Sequence, residues 1–232
     1  MRLTVLSLMT ALLASPAYAY DPFLDWQTLS TEHFNIHFAP KQRELASTTA
    51  RLAERLHREL APQLDWQPAE PTEIVLADDS DFANGSANPL PFNQIDLIVS
   101  PPEAGAFLEI TDETDWLYQV LRHEYVHILQ LDAATGAPAG LRRTLGRNLF
   151  SFPALFQPTW VIEGLATDLE SDANRHTGRG DNSHMAMSMR AELLSGVKSL
   201  NAVSLGANLH RWPAGAAPYL YGMHFFQFLR AR

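Results

Sequence analysis

The chain has 232 residues, 46% of them hydrophobic and 19% charged, with no cysteine and a formal net charge of −9 at pH 7. That length and mix suit one large globular domain or two small ones, and no internal repeat or low-complexity tract stands out. The acidic balance argues against a nucleic-acid partner, and the missing thiols exclude a small disulfide-stapled module.

The first nineteen residues stand apart. Arg2 gives a positive start, Leu3 to Leu13 a mostly apolar run too short to span a membrane, and Ala17-Tyr18-Ala19 a small-x-small cleavage site. This predicts a secretory signal peptide over 1–19 and an exported domain over 20–232, in a bacterial periplasm or cell envelope.

Asp21 to Thr31 reads as a turn-rich arm. From His33 to Phe38 the alternation predicts a half-buried strand with Phe34, Ile36 and Phe38 on one face. His33, Asn35 and His37 fall on the other face, with no carboxylate spaced to join the two histidines. Lys41 to Leu60 changes to helical period, with Leu45, Leu52, Leu56 and Leu60 as its apolar stripe. Thr72 to Ala77 predicts a strand buried on both faces, and Asp78 to Pro91 a polar loop turning at Asn84-Gly85. Gln94 to Val99 is a third strand, stopped by Pro101-Pro102; as an edge it would align an extended peptide by main-chain pairing, or merely fill out the sheet.

Asp115 to Leu131 has no Gly or Pro, and Trp116, Leu117, Val120, Leu121, Ile128 and Leu131 recur at helical steps. Within it, His123, Glu124, Tyr125, Val126 and His127 spell H-E-x-x-H. Residues four apart share a helix face, so both imidazoles can bind one metal ion while Glu124 projects beside the pair. An ordinary amphipathic helix with two half-buried histidines would satisfy the five letters alone.

Residues 132–157 carry several Gly and Pro and read as a loop-rich insertion, apolar and basic, that would form a lid or touch a membrane surface or an envelope protein through 140–156. Pro158 to Glu170 opens a second helix, in which Glu163 sits among Trp160, Val161, Ile162, Leu165 and Ala166. A lone carboxylate there is costly to bury unless a cation pairs with it, either a metal or one of the upstream arginines. Two histidines and one carboxylate would leave a position open for water, as catalytic rather than structural sites do. Gly164 and Ala166 are small enough to let another helix approach.

Residues 171–185 read as an exposed loop whose His176 or His184 could reach the site, followed by a helix over Ala186 to Leu194 and a closing helix over Pro218 to Arg230. That last helix reaches the chain end with no Gly or Asn cap, which predicts a polypeptide that continues.

H-E-x-x-H followed by W-x-x-E-G-x-A over Trp160, Glu163, Gly164 and Ala166 resembles the gluzincin metallopeptidases, in particular the peptidase MA-like group related to the M1 aminopeptidases. The resemblance implies one Zn2+ held by His123, His127 and Glu163, with Glu124 as general base to a zinc-bound water and a peptide or protein as substrate. Tyr219-Leu220-Tyr221-Gly222 is similar to the family's Y-x-x-G helix, which makes Tyr219 the oxyanion donor and Tyr221 the fallback. Asp168 or Glu170 would then accept the outer N–H of a zinc-bound histidine. Relatives often carry a C-terminal β-propeller after this domain. The G-x-M-E-N segment that holds a free amine in M1 aminopeptidases has no counterpart in Gly85 to Asn93, so exopeptidase activity is not implied. Metzincins are excluded by Gln130 and Ala133, where that family needs Gly and His.

The expected fold class is therefore α+β: a small mixed β-sheet with covering helices, then a mainly helical half, with the zinc cleft between them. The alternative function is a catalytically inactive envelope scaffold in which the metal only braces the fold.

Overall fold

The computed structural model describes residues 23–78, 84–100, 116–171, 177–204 and 212–232. The expected signal peptide over 1–19 and His176 lie outside them. No helix among the described residues is long and apolar enough to cross a membrane.

The fold is α+β. Five strands, β1 (Gln27–Ser30), β2 (Phe34–Phe38), β3 (Thr72–Ala77), β4 (Asn84–Asn88) and β5 (Gln94–Ile98), form one mixed sheet in the order β1-β2-β3-β5-β4. The three central strands run parallel, and β1 and β4 close the two edges antiparallel. Parallel β2 and β3 cannot be joined by a hairpin, and helix α1 (Arg43–Leu60) makes the crossover. The chain then becomes helical: α2 (Trp116–Asp132), α3 (Gly136–Leu145), α4 (Thr159–Glu170), α5 (Ser183–Ser195), α6 (Leu200–Ser204) and α7 (Ala217–Arg230).

One sheet face forms the core. Phe34, Ile36, Ile74, Leu76, Ile95 and Leu97 are no more than 1% exposed and pack with Ala46, Ala53 and Leu56 of α1 and Leu121, Tyr125, Val126 and Ile128 of α2. Each large apolar side chain so buried contributes roughly 1.5–3 kcal/mol. Helix α2 is buried on every side from Tyr118 to Leu129, so its polar side chains must find partners inside the protein. Arg122 does so by donating to the Leu169 carbonyl at 2.6 Å and to Glu59 at 2.8 Å, which ties α2 to α4 and α1.

Several elements depart from the sequence expectation. The turn-rich arm contains β1, whose four residues hold a single apolar side chain, Leu29, and so give no visible alternation. The polar loop contains β4. Its inward residues are Gly85 and Ala87 rather than large apolar ones, because α2 passes close above them. As a result β5 is internal, and β4 is the edge strand.

His33 and His37 are not simply solvated. Glu54 and Glu73, distant in sequence, reach their ring nitrogens at 2.9 and 2.6 Å. Residues 132–157 are not loop-rich: they form α3 and two short 3-10 turns, Leu149–Ser151 and Pro153–Phe156. This segment is pinned in place, since Arg142 and Arg147 reach the buried Asp132 at 3.2 and 3.0 Å and both lie against the Phe152 ring. Its Leu145, Leu149, Phe150 and Phe156 point outward. Helix α5 begins at Ser183 rather than Ala186, because Asn182 caps it by accepting from the His184 and Met185 backbone N–H groups.

Candidate metal centre

Helices α2 and α4 supply the three side chains that meet. His123 Nε2 and His127 Nε2 lie 3.1 Å apart, and Glu163 Oε2 is 3.4 Å from each. Among the described residues this is the one group of three or more His, Cys, Asp or Glu able to hold a metal ion. Of the arginines upstream, Arg142 and Arg147 are committed to Asp132 and Arg143 is exposed, while the groups that face the Glu163 carboxylate are His123 and His127.

The donor set fits a cation. A tetrahedral centre with bonds of about 2.0–2.2 Å places its donor atoms about 3.3–3.6 Å apart, which is close to the spacing present. Glu163 Oε2 is buried with no hydrogen-bond partner, an expensive state for a carboxylate oxygen unless a cation takes it up. Burial alone would raise the Glu163 carboxyl, but the two imidazoles outweigh it and hold the group well below the usual carboxylate range.

The outer nitrogen of His123 is also fixed. With Nε2 facing the other donors, Nδ1–H donates to Glu170 Oε2 at 2.6 Å. This is the arrangement in which a carboxylate sets the tautomer of a ligating histidine. Burial and Arg179 would lower the His123 pKa, yet Glu163 and Glu170 together push it up to about 9. Burial likewise opposes ionisation of Glu170, and Arg179 with His123 holds it down to about 2.

Asp168, the other candidate for this role, points elsewhere and accepts from Arg230. Burial raises its carboxyl from 3.8 to about 6 against the pull of that arginine. The folded state therefore holds this proton more tightly than the unfolded chain, a contribution to stability that is complete below pH 4 and lost as the pH rises through about 6. Asp168→Asn is expected to remove up to about 3 kcal/mol of that pH dependence, read as the change in melting temperature between the two ends of the window; an unaltered profile would assign the dependence to other groups.

Glu124 is 6% exposed, and burial raises its carboxyl. It lies directly over β4: a methyl group added at Gly85 would sit 2.8 Å from Glu124 Cγ and 2.9 Å from its Oε1. The edge strand can run this close to Glu124 only because residue 85 has no side chain.

Helix α7 brings Tyr219. It crosses α4 with Gly222 against Gly164, and a Cβ on Gly222 would overlap the Trp160 carbonyl oxygen and lie 2.6 Å from Gly164 Cα. Glu163 and Tyr219 flank this crossing on their respective helices, and the Tyr219 ring stacks on His123 with centroids 6.2 Å apart. Tyr221 is not an alternative, since its hydroxyl donates to Glu192 and accepts from the Lys198 backbone N–H. His184 is exposed at the start of α5 and has no place in the site.

Two site residues were not singled out by the sequence reading for the roles they take here. From sequence, Gly85 is only half of an Asn-Gly turn signal. Arg179, 5% exposed and in contact with Glu170, His123 and Tyr219, lay in a stretch that reads as polar loop. Its only signal is Gly178, which adopts φ +83° and turns the chain back onto the end of α4.

No protein-family model, no curated protein and no solved structure matches this chain.

Proposed function

We propose that the chain is an exported zinc peptidase of the gluzincin type, with His123, His127 and Glu163 holding the ion. The observation that carries this reading is the convergence of three donors beside a buried acid, Glu124, that does not join them. A metal that only braced a fold would have no use for such a base.

When bound, zinc would supply Lewis acidity, lowering the pKa of a coordinated water to about 7 and polarising the scissile carbonyl. Glu124 takes a proton from the attacking water and delivers it to the departing amine. Burial keeps its proton affinity above that of an ordinary glutamate, which suits a group that must both accept and return a proton near neutral pH. Burial also pushes the Tyr219 phenol up, so the hydroxyl stays protonated and donates to the oxygen that gains charge. The substrate aligns on β4, which has no strand on its outer side among the described residues, and an added strand there would run beside Glu124.

The edge geometry gives a sharp expectation. Gly85→Ala places a methyl group against Glu124 and Val120, so kcat should fall by about 10²-fold, as a displacement of 1 Å can cause. Zinc affinity, measured by chelator competition, should stay unchanged. Normal turnover by this variant would remove β4 from the mechanism.

The reading itself is tested by a library of internally quenched peptides. Cleavage should stop when the metal is stripped by chelation and return with zinc. Cleavage that survives complete metal removal would defeat it, and a zinc-loaded protein that cuts nothing in the library would favour the scaffold.

A further inference from the structure

The buried guanidinium of Arg179 touches both arms of the site. Its Nε and Nη2 donate to the two oxygens of Glu170 at 2.6 and 2.7 Å, and its own backbone N–H adds a third bond at 3.2 Å. Nη2 also lies 2.9 Å from His123 Nδ1, the nitrogen that donates to Glu170. The same group sits over the Tyr219 ring, with Cζ 4.7 Å from the centroid.

The backbone that carries Arg179 is held equally firmly. Gly178 takes a left-handed conformation in which any side chain would strike Ser171 and the Glu170 carbonyl, and the Gly180 N–H donates to Ser171 Oγ at 2.8 Å. The turn Arg179–Asp181 is thereby fastened to the end of α4, the helix that bears Glu163.

We propose that Arg179 is a positioning residue shared by the metal ligand and the oxyanion donor. Through Glu170 it fixes the tautomer and orientation of His123, and with the face of its guanidinium it fixes the ring of Tyr219. Only arginine can do both at once: the fork engages a carboxylate edge-on and leaves the flat face free for an aromatic ring. A lysine would keep the buried charge but supply neither the fork nor the face. The Tyr219 arm rests on the peptidase reading, whereas the Glu170 arm needs only His123 to be a metal ligand.

Arg179→Lys separates the two arms. Metal affinity, titrated against a chelator, should fall about 10- to 100-fold, the usual effect of losing a group that supports a ligating histidine, and the visible absorption of the Co2+-substituted protein should shift. In wild type the variant should also lower kcat more than KM. In a Tyr219→Phe background the same change should cost much less in kcat, since no phenol remains to be positioned, while the loss of metal affinity should be unaltered. Wild-type affinity and an unshifted cobalt spectrum would overturn the Glu170 arm, and kcat losses that multiply in full would overturn the Tyr219 arm. A wild-type protein that binds zinc and cleaves nothing would overturn the peptidase reading together with the Tyr219 arm, and the affinity and cobalt measurements would still decide the other. Should Arg179→Lys fail to fold, the neutral pair Glu170→Gln with Arg179→Gln leaves no buried charge unpartnered and carries the same affinity and cobalt tests.

Discussion

Glu124→Gln is expected to lower kcat by about 10²- to 10⁴-fold, the range that a positioned general base supplies, while one equivalent of zinc stays bound. The two effects separate because Glu124 lies against Gly85 of β4 and is outside the group of donors formed by His123, His127 and Glu163. The amide has the shape of the acid, so the packing against Gly85 of β4 survives. Burial disfavours ionisation of Glu124, so an uncharged replacement should unfold at a temperature no lower than wild type. Initial rates on the best peptide, elemental analysis and thermal unfolding on the same preparation check all three. A variant that turns over as fast as wild type would remove Glu124 from the mechanism, and one that loses its zinc would make Glu124 a ligand.

Gly222→Ala is expected to damage both the fold and the site. The new methyl group meets the Trp160 carbonyl oxygen and Gly164 Cα, which are backbone atoms with no rotamer to yield. Helices α4 and α7 must therefore move apart. Overpacking of this kind costs typically 1–3 kcal/mol and occasionally more; taking about 3 kcal/mol here, the melting temperature should drop by about 6–12 °C for a domain of this size. Glu163 and Tyr219 sit on the two helices being separated, so zinc affinity should fall with stability even where the variant is still folded. Gly164→Ala attacks the same crossing from the other side and should behave alike. Wild-type melting and zinc affinity in either variant would show that the helices do not meet this closely.

How far the sequence revealed this arrangement depended on the kind of signal each residue leaves. Periodicity exposes elements that bury large side chains, which is why β3 and the helices bearing His123 and Glu163 were legible to within a residue or two, and why the α+β class followed. The convergence of His123, His127 and Glu163 was legible for a different reason: a spacing of four on a helix is a geometric constraint, and an isolated Glu163 between apolar neighbours needs a counter-charge. Gly164 announced a close helix approach, and Gly222 is what approaches it.

Strand β4 was hidden because its inward positions hold Gly and Ala, chosen by the passage of α2 rather than by core filling. The pairing of His33 with Glu54 and of His37 with Glu73 was invisible because residues 21 and 36 positions apart meet only after α1 folds back on the sheet. Arg179 belonged to the same class. Nothing local distinguishes a buried arginine in a polar stretch, and only the turn at Gly178 brings it to Glu170.

The central claim is that His123, His127 and Glu163 bind one cation between them. Equilibrium dialysis against zinc of wild type, His127→Ala and Glu163→Gln, each shown to be folded by circular dichroism, tests it most directly. The account predicts one tightly held equivalent for wild type, with a loss of affinity for both variants. Stoichiometric zinc held equally tightly by all three proteins, or none in wild type, would contradict it.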